Sequence, residues 1–332
     1  MNTPVKTLTP TTSFGYPFKT KEEKEFADPL EFYKGLAMVT GGHYLLGTHG
    51  LWHGGIHFSK ASANTFSQEG GVRCIADGEV VAYRIDNRYP DGKPGGIAGS
   101  TPILPYSTGF VLVRHSLQPP KLPAPQTTAG ARPAPQPQPP RPLTVYSLYM
   151  HLGDYASYLA APQRPTPAWW KGPKRHEVKN TNRDDNPQAQ GQQPGLNIRK
   201  AGSARSEKIG WLSRGAQLTI SEKSADGKWG KVSSVLSGTC ELYGTADATA
   251  PKGWVHLGSL RAQGTPDAFD RVVVLAEPSP VRAGDVIGYL GEDVPASVRP
   301  IGNGPMTRPL LHLEVFSGDD VEAFIRQCRR YA

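Results

Sequence analysis

His53 and His57 stand four residues apart in His53-Gly54-Gly55-Ile56-His57-Phe58, inside a glycine- and histidine-rich run from Gly47 to Ser59. Imidazoles at this spacing chelate one metal ion when they share a face of a helix. The Gly-Gly pair disfavours that helix. In a straight strand the two residues lie roughly 13 Å apart, too far to share an ion held at about 2.1 Å from each nitrogen. Chelation therefore requires a bend at Gly54-Gly55, which glycine permits at little steric cost. Alone, the pair is a weak metal signal. Two further stretches offer imidazoles on strand-like sequence, Leu148-Tyr-Met-His151-Leu152 and Leu310-Leu-His312-Leu-Glu314. In the second, alternation puts His312 and Glu314 on one face, where the carboxylate can orient the imidazole or serve the sheet alone.

The elements that must position these groups read as strands. The chain has 332 residues, long enough for two domains and a real core. Its 37 glycines and 32 prolines favour a turn-rich, mostly β protein. Residues 1–27 are polar and are expected to form a loosely held arm. Asp28-Pro29 opens a short helix to Ala37, with aspartate as N-cap and proline at the first helical position. Asp77-Gly78 predicts a hairpin between the strands at 70–76 and 79–85. Further strands are expected at 109–115, 143–152, 271–275, 281–291 and 310–316. A proline-rich, polyproline-II-prone loop occupies 117–142, and a polar linker is expected at 163–194. A compact β module fills 195–262, with strands at 196–199, 217–220, 229–232 and 253–257. Asp319 to Cys328 predicts a terminal helix with Val321, Phe324, Ile325 and Cys328 on one face.

Composition narrows the function classes. The net charge of +8 comes from scattered lysines and arginines, without the basic runs or stacking aromatics of a nucleic-acid binder. The three cysteines, Cys74, Cys240 and Cys328, are far apart, which argues against a disulfide framework or a thiolate zinc site. No stretch approaches the ~18 apolar residues of a membrane span. The first ten residues lack the apolar core of a secretory signal. The expectation is a protein made in the cytoplasm without a signal peptide, which acts in the periplasm or cell wall after delivery by a non-Sec route.

The order of the motifs is more specific than any one of them. A histidine-glycine loop is followed by Ala76-Asp-Gly-Glu-Val80, Val113-Arg-His115 and Leu148-Tyr-Met-His151-Leu152. Gly284-Asp-Val-Ile-Gly-Tyr-Leu-Gly291 and Leu311-His312-Leu-Glu-Val315 complete the series. This series resembles the lysostaphin/LytM-type zinc endopeptidases, which cut peptide crosslinks in bacterial cell walls. The resemblance covers roughly 40–160 and 270–317. Within the gap, Gly195-Leu-Asn-Ile-Arg199, Ile209-Gly-Trp211, Lys228-Trp-Gly-Lys-Val232 and Gly253-Trp-Val-His-Leu257 resemble a bacterial SH3-like domain, often a wall-targeting module.

The resemblance implies a mostly β fold, an antiparallel LytM-like (duplicated hybrid motif) peptidase domain at 28–162 and 263–332, interrupted by an SH3-like β-barrel at 195–262. It also implies zinc on His53, His57 and His312, with His151 as the catalytic histidine. The chain departs from the family at His57, where an aspartate is expected, and at Leu310, where a second catalytic histidine is expected. The first change is mild, because zinc accepts three neutral imidazoles and a water. The second removes a proton-transfer or oxyanion-stabilising group, and His151 alone, or another histidine such as His49 or His43, would have to substitute. His115 and His256 read as structural and His176 as solvated.

The expected function is zinc-dependent hydrolysis of amide bonds in peptidoglycan stem peptides or crossbridges, in an antibacterial effector delivered by a type VI-like or phage-derived machine. An immunity protein or secretion-machine carrier would be its partner besides peptidoglycan. The alternative is a catalytically degenerate peptidoglycan-binding protein, or an adaptor of a secretion or phage-tail machine.

Overall fold

Short β-branched and aromatic runs, punctuated by glycine and proline, form antiparallel strands throughout, and the protein is mostly β. The computed structural model describes residues 9–39, 45–46, 52–92, 104–119, 138–161, 163–244, 253–294 and 308–331. The chain divides into two compact units, one of residues 1–160 with 268–332 and the other of 161–267.

The first unit is built on a seven-stranded antiparallel sheet. Its strands run in the order Val272–Val281, Gly78–Arg84, Gly109–Leu117, Leu143–Leu152, Arg308–Phe316 and Gly291–Asp293. Gly55–Ser59 lies on the other edge of Arg308–Phe316, since His312 is opposite both His57 and Met150. Val80, Val113, Tyr149 and Leu311 form the buried face of this sheet.

Two sequence expectations about this unit fail in ways that follow from packing. Over its described residues, 9–27, the arm is held, not loose. Phe18 is fully buried with its ring 5.2 Å from that of Phe58, and Phe14 and Thr20 make bridges to Ala76 and Phe66. A few aromatic side chains bury more apolar area than the polar majority can offset. The Asp77-Gly78 hairpin does not form. Val72–Arg73 pairs with Val286–Gly288, while Gly78–Arg84 joins the large sheet. The Asp77 carboxylate instead accepts hydrogen bonds from the amides of Ser13 (2.9 Å) and Ala283 (3.0 Å), tying three segments together.

In the second unit a nine-stranded antiparallel sheet surrounds a cluster of Val178, Leu196, Ile198, Leu212, Leu218, Val232, Val255 and Leu260. Among the described residues, no strand pairing closes this sheet into the expected barrel. The expected linker is structured. Arg175–Val178 sits between Gln217–Lys223 and Leu260–Gln263, and Trp169 and Trp170 are buried.

Both terminal helices form. Pro29–Ala37 is capped by Asp28, whose carboxylate accepts from Leu30 N at 2.9 Å. The last helix runs from Val321 to Tyr331 and buries none of its residues, the predicted apolar face included. Positions 120–137 of the proline-rich loop, and His43 and His49, lie outside the described residues.

Candidate metal centre

His57 and His312 are direct partners across the antiparallel ladder between Gly55–Ser59 and Arg308–Phe316, so their side chains leave the same face. Their ring centroids are 4.7 Å apart. His53 belongs to Trp52–His53, a short strand that pairs with Leu45–Leu46 and not with the large sheet. The chain turns between the two strands, and His53 Nε2 comes within 3.0 Å of His57 Nε2. The bend at the glycine pair is present. The His53 ring also stacks on His312 at 4.5 Å, and ligand atoms of all three histidines lie within 4.8 Å of one another.

Gly55 makes this convergence sterically feasible. A Cβ there would lie 2.6 Å from His312 Nε2, 2.7 Å from Glu314 Cγ and 2.5 Å from the Leu313 carbonyl oxygen. His312 Nε2 is 3.1 Å from Glu314 Oε1, at ion-pair distance but out of hydrogen-bond alignment. His53 Nδ1 is likewise buried without a hydrogen-bond partner.

Electrostatics favour neutral rings at His57 and His312. Burial, followed by the charges of His312 and His53, pushes the His57 pKa down to about 3. Burial also lowers the His312 pKa, with Glu314 opposing it. A neutral imidazole is the form that binds a metal. The donors suit zinc: a tetrahedral site with bonds near 2.1 Å separates ligand nitrogens by about 3.4 Å, against the 3.0 Å between His53 and His57.

His151 reaches the centre through a backbone irregularity. Met150 is opposite His312, so in a regular strand His151 would face the other side of the sheet. The register against Gly109–Leu117 skips at this point, pairing Gly109 with Leu152 and Phe110 with Met150. His151 is the extra residue of the bulge and has φ of 61°. Bulges re-aim side chains, and this ring stands parallel to His312 at 6.5 Å. Burial lowers the His151 pKa against the opposing charge of Asp293.

Leu310 lies on the same face of its strand, two residues before His312, and is 1% exposed. It can move no proton. His115 donates and accepts elsewhere, with Nδ1 2.9 Å from the Asp77 carbonyl and Nε2 2.7 Å from Ser147 Oγ, which fits its structural reading. His176 is corrected: it sits in the Arg175–Val178 strand with Nδ1 buried, not solvated in a linker. His256 is exposed, near Ser259 Oγ at 3.4 Å. Sequence reading missed Arg308 and Asp293, which pair at 3.1 Å beside this face. The signal was available in the alternation Arg308, Leu310, His312, Glu314.

Residues 194–261 match the bacterial SH3 domain family. No curated protein and no solved structure matches the chain. The match spans the strands from Pro194–Arg199 to the start of Leu260–Gln263, and the histidine centre lies outside it. On the matched module, Arg199 and Lys231 stand over the rings of Trp229 and Trp254 at 5.9 and 6.0 Å. No helix among the described residues is long and apolar enough to cross a membrane.

Proposed function

We propose that the first unit is a zinc-dependent hydrolase of amide bonds in peptidoglycan stem peptides or crossbridges, with the SH3 domain holding it to the wall. The convergence of His53, His57 and His312 carries this reading. The motif order that resembles lysostaphin/LytM-type endopeptidases supports the substrate class, as does the SH3 match, since bacterial SH3 domains often bind peptidoglycan.

His53, His57 and His312 would hold the ion, with the Glu314 carboxylate 3.1 Å from His312 Nε2. Zinc held there would supply Lewis-acid polarisation of a carbonyl and a water with its pKa lowered to about 7. His151, neutral and re-aimed by its bulge, accepts the proton of the attacking water and returns it to the leaving amine. Leu310 removes a second such group, at a cost on the order of 10²–10⁴ in rate. Delivery as an antibacterial effector, with an immunity protein or carrier as partner, belongs to the same proposal.

Metal analysis of the purified chain combined with digestion of sacculi tests the hydrolase. The expected result is one zinc per chain and soluble muropeptides, both lost in His53→Ala. No release at any zinc loading, with sacculus pelleting intact, rejects hydrolysis in favour of the second reading. That reading is a degenerate wall-binding protein, and the buried Leu310 is the observation that favours it.

A further inference from the structure

Arg308 precedes Leu310 by two residues and His312 by four on one strand. Alternation puts all three side chains on the face that carries His57. The Arg308 guanidinium is anchored from one side only: its Nε donates at 3.1 Å to Oδ2 of Asp293, its Cα partner across the ladder. Among the described residues, neither outer nitrogen of the guanidinium has a hydrogen-bond partner. The side chain is 36% exposed, so the outer edge of the fork is open to a ligand.

The Arg308 side chain leaves the sheet on the face that carries His57 and His312. The three clustered histidines bring no negative charge of their own, Asp293 engages only the Nε side of Arg308, and Glu314 stands at the opposite end of the row. A permanently charged, planar, donor-only fork matches a carboxylate, which accepts two parallel hydrogen bonds.

We propose that Arg308 is the anion-binding group of the centre and takes a carboxylate of the stem peptide, setting a neighbouring amide against the histidine cluster. The identity of the ligand as a stem peptide rests on the hydrolase reading; recognition of the carboxylate does not require turnover. The substrate class becomes peptides with a free carboxylate near the scissile bond.

The test uses the full chain supplemented with zinc, and two probes that differ only in charge: N-acetyl-D-alanyl-D-alanine and its carboxamide. Calorimetric titration of the wild type is expected to show tighter binding of the acid. Arg308→Gln should weaken the acid roughly ten- to a hundredfold and leave the amide unchanged. Arg308→Lys keeps the charge but not the fork, and should recover part of the loss. If Arg308→Gln fails to fold, the comparison of wild type with Arg308→Lys decides, with a selective loss on the acid expected. Equal affinity for acid and amide, an acid preference that survives the substitutions, or no binding of either probe overturns the proposal. Acid preference without sacculus digestion overturns the hydrolase and leaves the carboxylate site standing. Digestion without acid preference does the reverse.

Discussion

The two units solve different problems with the same strands. The second is organised around an aliphatic cluster of Val178, Leu196, Ile198, Leu212, Leu218, Val232, Val255 and Leu260, where each buried side chain is there to be packed. The first buries or half-buries three imidazoles against one another, keeps a non-glycine residue at φ of 61°, and leaves polar nitrogens of His53, His151 and His312 without aligned partners. Each of these features opposes stability, because buried polar groups and left-handed backbone both cost free energy. Their coincidence on one sheet face separates a site from a core.

The sharpest way to break the contrast is to remove a central imidazole. His312→Ala should abolish stoichiometric zinc binding, as read by competition with a chromogenic chelator, and leave the amide chemical shifts of 194–261 unchanged. Retained zinc would show that the cluster is only a polar core.

The converse substitution is Leu212→Ala, at a fully buried position of the second unit. It should lower the stability of that unit by about 2–5 kcal/mol in chemical denaturation, with zinc stoichiometry intact. Loss of both properties together would mean that the units do not act separately.

Gly55→Ala tests whether the first unit is built around its centre. The added methyl meets His312, Glu314 and the Leu313 carbonyl, so a destabilisation of about 1–3 kcal/mol is expected. Zinc affinity should fall with it, and an unchanged affinity would place the ion away from His312.

The smallest effect expected is on pH. Burial and neighbouring charges lower the His57 pKa to about 3, against the ordinary imidazole value of about 6.5. Between these values the unfolded chain binds more protons than the folded one, so stability rises with pH. The contribution of neutral His57 is complete above about pH 6.5 and is lost as pH falls toward about 3. His312 and His151 shift in the same direction, whereas His176 alone does so in the second unit. Denaturation of the metal-free chain at pH 7 and pH 5 should therefore show the larger loss in the first unit, and His57→Gln should shrink it.

Much of the fold was legible where local chemistry and tertiary demand agree. Asp28-Pro29 specified its helix start, and β-branched runs such as Val80-Val81 and Val111-Leu-Val113 became central strands. Misreadings arose where distant segments competed for a group. The arm was judged by its polar majority, but Phe18 found an aromatic cluster. Asp77 carries a hairpin signature, but its carboxylate is used by the amides of Ser13 and Ala283.

By itself, the sequence determined the residue types available for chemistry: histidines at 53, 57, 151 and 312, and glycines where the chain must bend. It also determined a β module recognisable from its own strands, because packing patterns are written residue by residue. Only the tertiary structure decided that those histidines converge. His57 faces His312 because a register is set between strands some 250 residues apart in sequence. His151 joins them because the Leu143–Leu152 strand bulges at that residue, and Arg308 stands beside Leu310 with its outer nitrogens free of partners among the described residues. Register and bulges depend on which strands meet, and no local spacing encodes that.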